Sequence, residues 1–292
     1  IVNRYDIEAV HFDDYFYPYP IAGVEFNDSL AFERYTTAQG IDVADSTEYQ
    51  RVLGDWRREN VELLIKQLND TIKEIKPWVR FGISPFGIHR NKKDTPDGSG
   101  SNTNGLSNYD ELYADVPHWA EIGIIDYVVP QLYWEIGHER ACYEILINWW
   151  NDTWKRGHLY IGQSVGSFSK PDVNNPEMDQ TEAKMKLVRE LPNVHGNVWW
   201  PAWSLVRNSA NLQYNLRTNY QKVPALIPAY HWLDGKAPKG VEAIASADGK
   251  ITWKQNAQDA ADPMQKSLFY AVYYFPAGVK ADKANKECLV KL

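Results

Sequence analysis

The 292-residue sequence predicts an α/β fold built on a parallel sheet, followed by a smaller β domain. Apolar, strand-like runs alternate five times with helical patterns between residues 7 and 203. The third run is continuously apolar, which is typical of parallel strands covered on both faces. Beyond residue 238 the apolar residues recur with a period of two, as expected for antiparallel strands. Each strand of the first domain ends in polar or aromatic residues, so we expect a functional site at the C-terminal edge of its sheet.

The first predicted strand, residues 7–12, runs directly into two adjacent carboxylates, Asp13 and Asp14. Because side chains alternate along a strand, His11 and Asp13 share one face. A carboxylate at the C-terminal tip of a buried parallel strand is where a (β/α)8 barrel keeps its catalytic groups. The alternative is that one of the two caps the loop and the other is solvated.

The elements that follow alternate in type. A long polar and aromatic insertion, residues 21–52, precedes a helix over residues 55–76, and an insertion of this length is usually functional. Asp126 lies near the N-terminal end of the third strand and is predicted to be structural. The remaining predictions are strands at 78–87, 124–135, 159–164 and 196–203, a loop at 88–108, and helices at 109–122, 139–156 and 180–191.

A change of composition separates the predicted barrel-type domain, residues 1–223, from a Pro-rich linker at 224–237. In the last segment, residues 238–292, Asp248 and Gly249 lie between two strand-like runs and predict a hairpin. An early Trp and a later Tyr-rich strand suit a β-sandwich of the fibronectin type III kind. About 55 residues remain, against roughly 100 for a whole sandwich, so this domain is predicted to be incomplete.

Composition excludes several classes of function. The net charge of −7 provides no basic surface for nucleic acid, and no apolar run is long enough to span a membrane. Cys142 and Cys288 are too far apart to predict a zinc site, and the histidines form no metal motif, so no metal or cofactor is expected. Twelve Trp and eighteen Tyr suit carbohydrate, because their flat apolar faces and polar atoms match sugar rings.

Four sequence blocks resemble the signatures of one family, glycosyl hydrolase-like family 10 (domain of unknown function 187). It is a TIM-barrel lipoprotein family related to the α-galactosidase superfamily. The resemblance covers about residues 1–215 and implies a (β/α)8 barrel, glycosidase activity and bacterial cell-envelope glycan, such as peptidoglycan strands, as substrate. It also implies a location in the cell envelope, as a periplasmic or outer-membrane lipoprotein, or secretion. The blocks are HFDDYFYP at 11–18, DWRRENV at 55–61, FGISPFG at 81–87 and DYVVPQLYW at 126–134.

The chain departs from this family in its number of strands. The Asp-Asp block of the family lies on about the fourth barrel strand, whereas here it follows the first. Five strands are predicted where a closed barrel needs eight, so we expect the barrel to lack its first strands in this chain. We expect an N-terminal segment on the order of 100 residues or more to supply them. Without it, we expect self-association through the first strand, or marginal stability.

Glycoside hydrolysis needs one protonated and one ionised carboxyl group. Asp13 is predicted to be the ionised partner, and Asp14 is its rival, or orients a sugar hydroxyl or caps the loop. In related barrel hydrolases the acid comes from the sixth strand, and Glu135 is the carboxylate at the end of the matching strand here. The alternative for Glu135 is a solvated loop residue. The predicted substrate-binding residues are His11, Tyr15, Tyr17, Ser84, Gln131, Tyr133, Trp134, Trp199 and Trp203.

Two functions of different classes follow from these residues. The first is a hydrolase of bacterial glycan, which the Asp13–Asp14 pair favours. The second is a non-catalytic glycan-binding envelope protein, a degenerate barrel that holds sugar through its aromatic residues without cleaving it. The uncertain identity of the acid keeps the second function open.

Overall fold

The protein is described by a computed structural model. Its chain forms two compact units, and the parallel sheet lies in the first of them. No helix among the described residues is long and apolar enough to cross a membrane. The described residues are 1–43, 45–170, 180–257, 261–267 and 269–292. The first unit comprises Ile1–Ile75 and Val79–Leu212, and the second comprises Lys76–Trp78 and Gln213–Leu292.

The first unit is organised around a five-stranded parallel sheet. Its strand order follows the chain, which is the order that successive strand–crossover–strand units produce. The predicted parallel α/β domain is therefore confirmed, and its closure into an eight-stranded barrel stays a prediction. The strands are β1 (Ala9–Phe12), β2 (Arg80–Ile83), β3 (Tyr127–Val128), β4 (His158–Ser164) and β5 (Val194–Trp200).

Nine α-helices lie among the described residues, and several connect the strands of the sheet. Short 3-10 helices cover Lys92–Asp94, Ser209–Asn211 and Lys286–Cys288, and a π-helix covers Leu216–Tyr220. The α-helices are α1 (Ser29–Gln39), α2 (Ser46–Ile75), α3 (Asn108–Glu111), α4 (Val116–Glu121), α5 (Tyr143–Thr153), α6 (Val165–Phe168), α7 (Gln180–Glu190), α8 (Ala202–Val206) and α9 (Leu212–Asn215).

The predicted loop over residues 21–52 is wrong in part, because α1 and the first turns of α2 lie within it. Helix α1 buries a single side chain, Phe32, so its helical periodicity is weak in the sequence. Phe32 packs against Val52 and Leu53 of α2, and Gly40 ends α1 in the left-handed conformation. Tertiary packing therefore stabilises a helix that the sequence pattern does not reveal.

Two other predicted elements are shorter in the structure. The helix predicted over 109–122 is divided into α3 and α4, because Tyr113 between them has a positive φ of 54°. The strand predicted over 124–135 is regular only in β3, and Pro130 follows it without an amide hydrogen to donate. Gln131 still forms isolated parallel bridges with Phe86 and Gly162, so the sheet continues irregularly toward its C-terminal edge.

One face of the sheet, which we call the buried face, holds the core of the first unit. Phe81 and Ile83 of β2 and Leu159 and Ile161 of β4 are fully buried on it. At the N-terminal end of β3, Asp126 accepts hydrogen bonds from the Phe81 backbone N at 2.7 Å and from Lys73 Nζ at 2.6 Å. These contacts agree with the structural role predicted for Asp126.

The alternate residues of the same strands form what we call the open face. It carries His11 of β1, Tyr127 of β3, Tyr160 of β4 and Trp200 of β5, all at least partly exposed. Gly82 of β2 has no side chain here, and a Cβ atom would lie 2.1 Å from the ring of Tyr127. The glycine thus leaves space for an aromatic ring to lie across the strand.

The second unit contains two short antiparallel sheets. Asp248 and Gly249 both have positive φ angles and turn the chain between β6 and β7, which confirms the predicted hairpin. Within the later strand-like run, only β8 is regular, and Leu268 lies outside the described residues. A complete β-sandwich stays a prediction. The strands are β6 (Ala243–Ala247), β7 (Lys250–Lys254), β8 (Val272–Tyr273) and β9 (Leu289–Lys291).

Candidate functional site

Asp13 and Asp14 follow the last residue of β1 and occupy different environments. The Asp13 side chain is exposed, and its Oδ1 accepts hydrogen bonds from the Asp14 backbone N at 2.9 Å and from Gln131 Nε2 at 2.7 Å. Asp14 is only 5% exposed, and its Oδ2 accepts a hydrogen bond from the Tyr19 hydroxyl. One carboxylate can therefore meet a ligand, and the other lies behind it.

Burial raises the pKa of Asp14 above that of an ordinary aspartate. The hydrogen bond from Tyr19 opposes this shift, and the neighbouring Asp13 carboxylate adds to it. Burial, together with Asp13 and Asp14, also raises the pKa of Tyr133 to about 12. The site thus combines a carboxyl group that holds its proton to higher pH with a phenol that stays neutral at physiological pH.

Gln131 connects the ends of β1, β2 and β3. Besides Asp13, its Nε2 donates a hydrogen bond to the Ser84 backbone O at 3.0 Å. The Ser84 hydroxyl donates to the backbone O of Val129 at 2.9 Å, and Ser84 is buried. These contacts bring three predicted site residues together, and they favour a structural role for the Ser84 hydroxyl because its proton is already engaged.

His11 lies on the open face, two residues before Asp13. Its Nδ1 lies 3.1 Å from the Tyr127 hydroxyl, and the two rings are stacked with centroids 5.7 Å apart. Loss of surrounding water lowers the pKa of His11, and the negative charge of Asp13 opposes that shift. The imidazole is therefore mainly neutral at pH 7, so it can orient a neighbour by hydrogen bonding more than by charge.

The aromatic residues at the end of β5 face opposite ways. Trp200 is 57% exposed on the open face, and its ring stacks on Tyr133 with centroids 5.8 Å apart and planes 17° apart. Trp199 is partly buried on the other face and packs edge-on against Phe168 at 4.9 Å. Sequence reasoning selected Trp199 and missed Trp200, although strand alternation shows that only one of the two can share a face with Tyr160.

Two further residues of the site were missed. Tyr19, which donates to Asp14, lies five positions along the same loop, and Tyr127, which contacts His11, starts β3. Tyr127 could have been found from the strand pairing, because it is paired with Gly82, which is paired with His11. Tyr19 depends on the path of the loop, for which the sequence contains no periodic signal.

Glu135 lies in the loop that follows β3 and forms an ion pair with Lys170. Its Oε1 lies 2.8 Å from Lys170 Nζ, with the Glu135 side chain 15% exposed. Burial raises the pKa of Glu135, but the contact with Lys170, a backbone hydrogen bond and the charge of Lys184 together outweigh it, so the net pKa lies below the ordinary value. A general acid needs the opposite shift, so this environment does not favour Glu135 as the acid.

The other predicted substrate-binding residues differ in their surroundings. Trp134 packs edge-on against Phe86 at 5.3 Å, close to the end of β2. Tyr17 packs against Tyr113 at 5.1 Å and is partly buried, which favours a structural role. Tyr15 and Trp203 are largely exposed, and the Arg207 guanidinium lies 4.8 Å over the Trp203 ring. No cluster of three or more potential metal ligands occurs within the described ranges.

The family model for glycosyl hydrolase-like 10 matches residues 1–180, more than half of the chain. This chain belongs to the glycosyl hydrolase-like 10 family. The resemblance predicted from the four blocks is therefore confirmed.

Proteins named as glycosyl hydrolases match the chain over long ranges. Glycosyl hydrolase YngK of Bacillus subtilis (strain 168) is 40% identical over 280 residues, which are 94% of this chain and 52% of that protein. Glycosyl hydrolase DigH of Escherichia coli (strain K12) is 35% identical over 206 residues, which are 68% of this chain and 44% of DigH. The chain thus spans about half the length of these relatives. Among solved structures, the match to bee venom hyaluronidase covers 66% of this chain and 61% of the hyaluronidase chain, with a TM-score of 0.38 and 12% sequence identity.

Proposed function

We propose that the chain carries the catalytic site of a glycosidase that acts on bacterial cell-envelope glycan, with peptidoglycan strands as the first candidate substrate. The observation that carries this proposal is the Asp13–Asp14 pair, in which one carboxylate is exposed and the other is buried with a raised pKa. Two neighbouring carboxyl groups whose environments differ in this way suit acid and base roles at one pH.

In the proposed reaction Asp13 is the group that meets the sugar. It is the exposed member of the pair, and its Oδ1 accepts hydrogen bonds from Gln131 Nε2 and from the Asp14 amide. Asp14 lies beside it, and its burial raises its pKa, so it is the member of the pair better suited to donate a proton. Asp13 then attacks the anomeric carbon as nucleophile, or as base takes a proton from the water molecule that attacks this carbon, while the glycosidic C–O bond breaks and the leaving oxygen takes the proton of Asp14.

Aromatic residues supply the sugar-binding surface of this site. Tyr133 and Trp200 present a stacked pair on the open face, and Trp200 is exposed enough to contact a sugar ring. The influence of Asp13 and Asp14 on the pKa of Tyr133 indicates that the carboxylates are close to this pair. This supports our proposal that a sugar stacked on Trp200 places its glycosidic bond near Asp13.

The cell-envelope part of the proposal rests on membership of the family and on the resemblance of its sequence blocks. We further propose that the protein is located in the cell envelope or is secreted. We also propose that the chain forms part of a (β/α)8 barrel. The five parallel strands with polar residues at their C-terminal ends are compatible with such a barrel.

A second function, glycan binding without cleavage, is favoured by the state of Glu135. Its ion pair with Lys170 and its lowered pKa leave the predicted acid ionised at neutral pH. If Asp14 does not supply the missing proton, the site would hold sugar through Tyr133 and Trp200 and leave the bond intact.

A reducing-end assay on purified peptidoglycan glycan strands separates the two functions. We expect the wild-type chain to release reducing ends and Asp13→Asn to lose at least about a hundredfold in rate, as is typical when an acid or base is removed. Its melting temperature should stay within a few degrees, because Asp13 is exposed. Asp70→Asn, which removes an exposed carboxylate paired with Lys66 on α2, is the matched control and should retain full rate.

Each outcome has a distinct meaning. Release of reducing ends by the wild-type chain and by Asp13→Asn at equal rates would remove Asp13 from the mechanism. Binding of glycan by both proteins without any release would establish the second function. A large loss of stability in Asp13→Asn would show that Asp13 is structural.

A further inference from the structure

Three consecutive side-chain contacts hold the loop that follows β3. The Ser167 hydroxyl lies 2.5 Å from the Tyr133 backbone O, Lys184 Nζ lies 2.9 Å from the Trp134 backbone O, and the Ile136 backbone N lies 3.0 Å from Gln180 Oε1. Ser167 belongs to α6, and the other two side chains belong to α7. The main chain that carries Tyr133 is therefore fixed by groups far away in sequence.

Lys184 is the unusual member of this set. It is only 1% exposed, and its ammonium group lies 4.7 Å from the centroid of the Tyr143 ring and 5.3 Å from that of Phe168. A lysine is seldom buried in this way unless its charge is compensated, because the cation loses its hydration. The compensation comes from two aromatic rings, one main-chain carbonyl and the nearby Glu135 carboxylate.

The charges around Lys184 are arranged as a chain. Glu135 pairs with Lys170 at 2.8 Å and also attracts the charge of Lys184. Burial lowers the pKa of Lys184 to about 8, and Glu135 opposes the shift. At neutral pH the buried amine thus remains mainly protonated, which keeps all three of its hydrogens available for donation.

We propose that Lys184 is a positioning residue, which fixes the segment 133–136 so that the Tyr133–Trp200 pair is presented to a sugar. The proposal rests on the proposed function in so far as this aromatic pair is taken as the sugar-binding surface. Lys184 itself does not touch the substrate. It acts through the Trp134 carbonyl, one residue from the ring that stacks on Trp200.

The test compares Lys184→Met with Lys186→Met. Methionine keeps the length and apolar stem of lysine but cannot donate to the Trp134 carbonyl. Lys186 lies on the same helix, is 69% exposed and pairs with Glu190 at 3.8 Å, so its variant controls for the loss of one positive charge. For each protein we would measure the melting temperature, kcat and KM on peptidoglycan glycan strands, equilibrium binding of those strands, and hydrogen–deuterium exchange of residues 133–138.

We expect Lys184→Met to weaken glycan binding and raise KM about tenfold, with kcat nearly unchanged and exchange in residues 133–138 faster. A role in packing alone would lower the melting temperature without moving KM of the folded protein. Lys186→Met should match the wild type in every measurement. Unchanged binding in Lys184→Met, whether or not exchange becomes faster, would overturn the proposal.

A second variant covers the case in which Lys184→Met does not fold. Ser167→Ala removes the neighbouring contact with the Tyr133 carbonyl and should also speed exchange and weaken binding, whereas wild-type behaviour in both would overturn the proposal. If the wild-type chain neither cleaves nor binds glycan, the proposed function fails by itself. The exchange data would then still show whether Lys184 holds the segment.

Discussion

The two faces of the parallel sheet are made from alternate residues of the same strands, yet they differ completely in chemistry. Phe81 and Ile161 on the buried face are fully buried among other apolar side chains. His11, Tyr127 and Trp200 on the open face are partly exposed aromatic rings with polar atoms, and they lie along the same face as Asp13. A strand of four to seven residues can therefore combine one side packed in the core with another that is accessible to a ligand.

This separation has an energetic basis. Full burial of one apolar side chain stabilises the fold by about 1.5–3 kcal/mol, so the buried face supplies a large share of folding free energy. A partly exposed ring such as Trp200 gains less from folding and keeps part of its surface for a ligand. Substitutions on the two faces should therefore change different measurements.

The largest expected effect is on stability, from Phe81→Ala. Phe81 is fully buried and packs edge-on against Phe12 at 5.4 Å, so the change should lower the free energy of unfolding by about 3–5 kcal/mol. His11→Ala on the adjacent strand is the control for the open face and should cost less than about 1 kcal/mol. Urea unfolding of the two variants measures both values, and equal losses would show that the faces do not differ in stability.

The general architecture was predictable from the sequence because it depends on local patterns. Five apolar runs separated by helical patterns predicted the parallel sheet, and the rule that strand ends share an edge predicted a site at the C-terminal edge, where Asp13 and Gln131 meet. The Asp248–Gly249 hairpin followed from the positive φ angles that a two-residue turn requires.

What could not be predicted depends on register and on loop conformation. The pairing of β4 with β5 shifts between Leu159 and Tyr160, so the face that Trp200 takes was not evident from strand spacing alone. The contacts of Asp14 with Tyr19 and of Glu135 with Lys170 are made between loop residues. No sequence period encodes such contacts, and they decide which carboxyl group is able to hold a proton.

A pair of adjacent tryptophans allows the sharpest test of the two faces. We expect Trp200→Ala to weaken glycan binding about tenfold, or about 1.4 kcal/mol, with little change in stability, because this ring is exposed beside Tyr133. Trp199→Ala should leave affinity unchanged and lower stability by about 2 kcal/mol, because its ring packs on Phe168. Titration calorimetry and urea unfolding give the two numbers, and reversed effects would mean that the faces are assigned the wrong way round.

The buried carboxyl group should produce a smaller effect that depends on pH. The pKa of Asp14 is higher in the folded chain than the ordinary value of 3.8, so the folded state binds its proton more tightly. Its contribution to stability is therefore complete below about pH 4 and is lost as pH rises through the raised pKa. Asp14→Asn cannot ionise, so its melting temperature relative to wild type should rise from pH 3 to pH 7. A difference that does not change with pH would contradict the raised pKa.

The smallest expected effect on stability comes from substitutions at Glu135, one of the two candidate acids. Its pKa is lowered in the folded chain, so its contribution to stability is present at neutral pH and is lost as pH falls below about 4.5. Because Lys170 is 58% exposed, Glu135→Gln should cost less than about 1 kcal/mol at pH 7 and nothing at pH 3. Lys170→Met should have the same effect, and the double variant should lose no more than either single one.

Reducing-end release by the same variants tests which of the two residues is the acid. If Asp14 supplies the proton, Glu135→Gln and Lys170→Met should both keep most of the rate of reducing-end release. A fall of about a hundredfold or more in Glu135→Gln alone would identify Glu135 as the acid after all. Lys170 would then be the residue that holds Glu135 ionised in the resting site, and Lys170→Met should raise the pH at which the enzyme works best, because the loss of the cation raises the pKa of its partner.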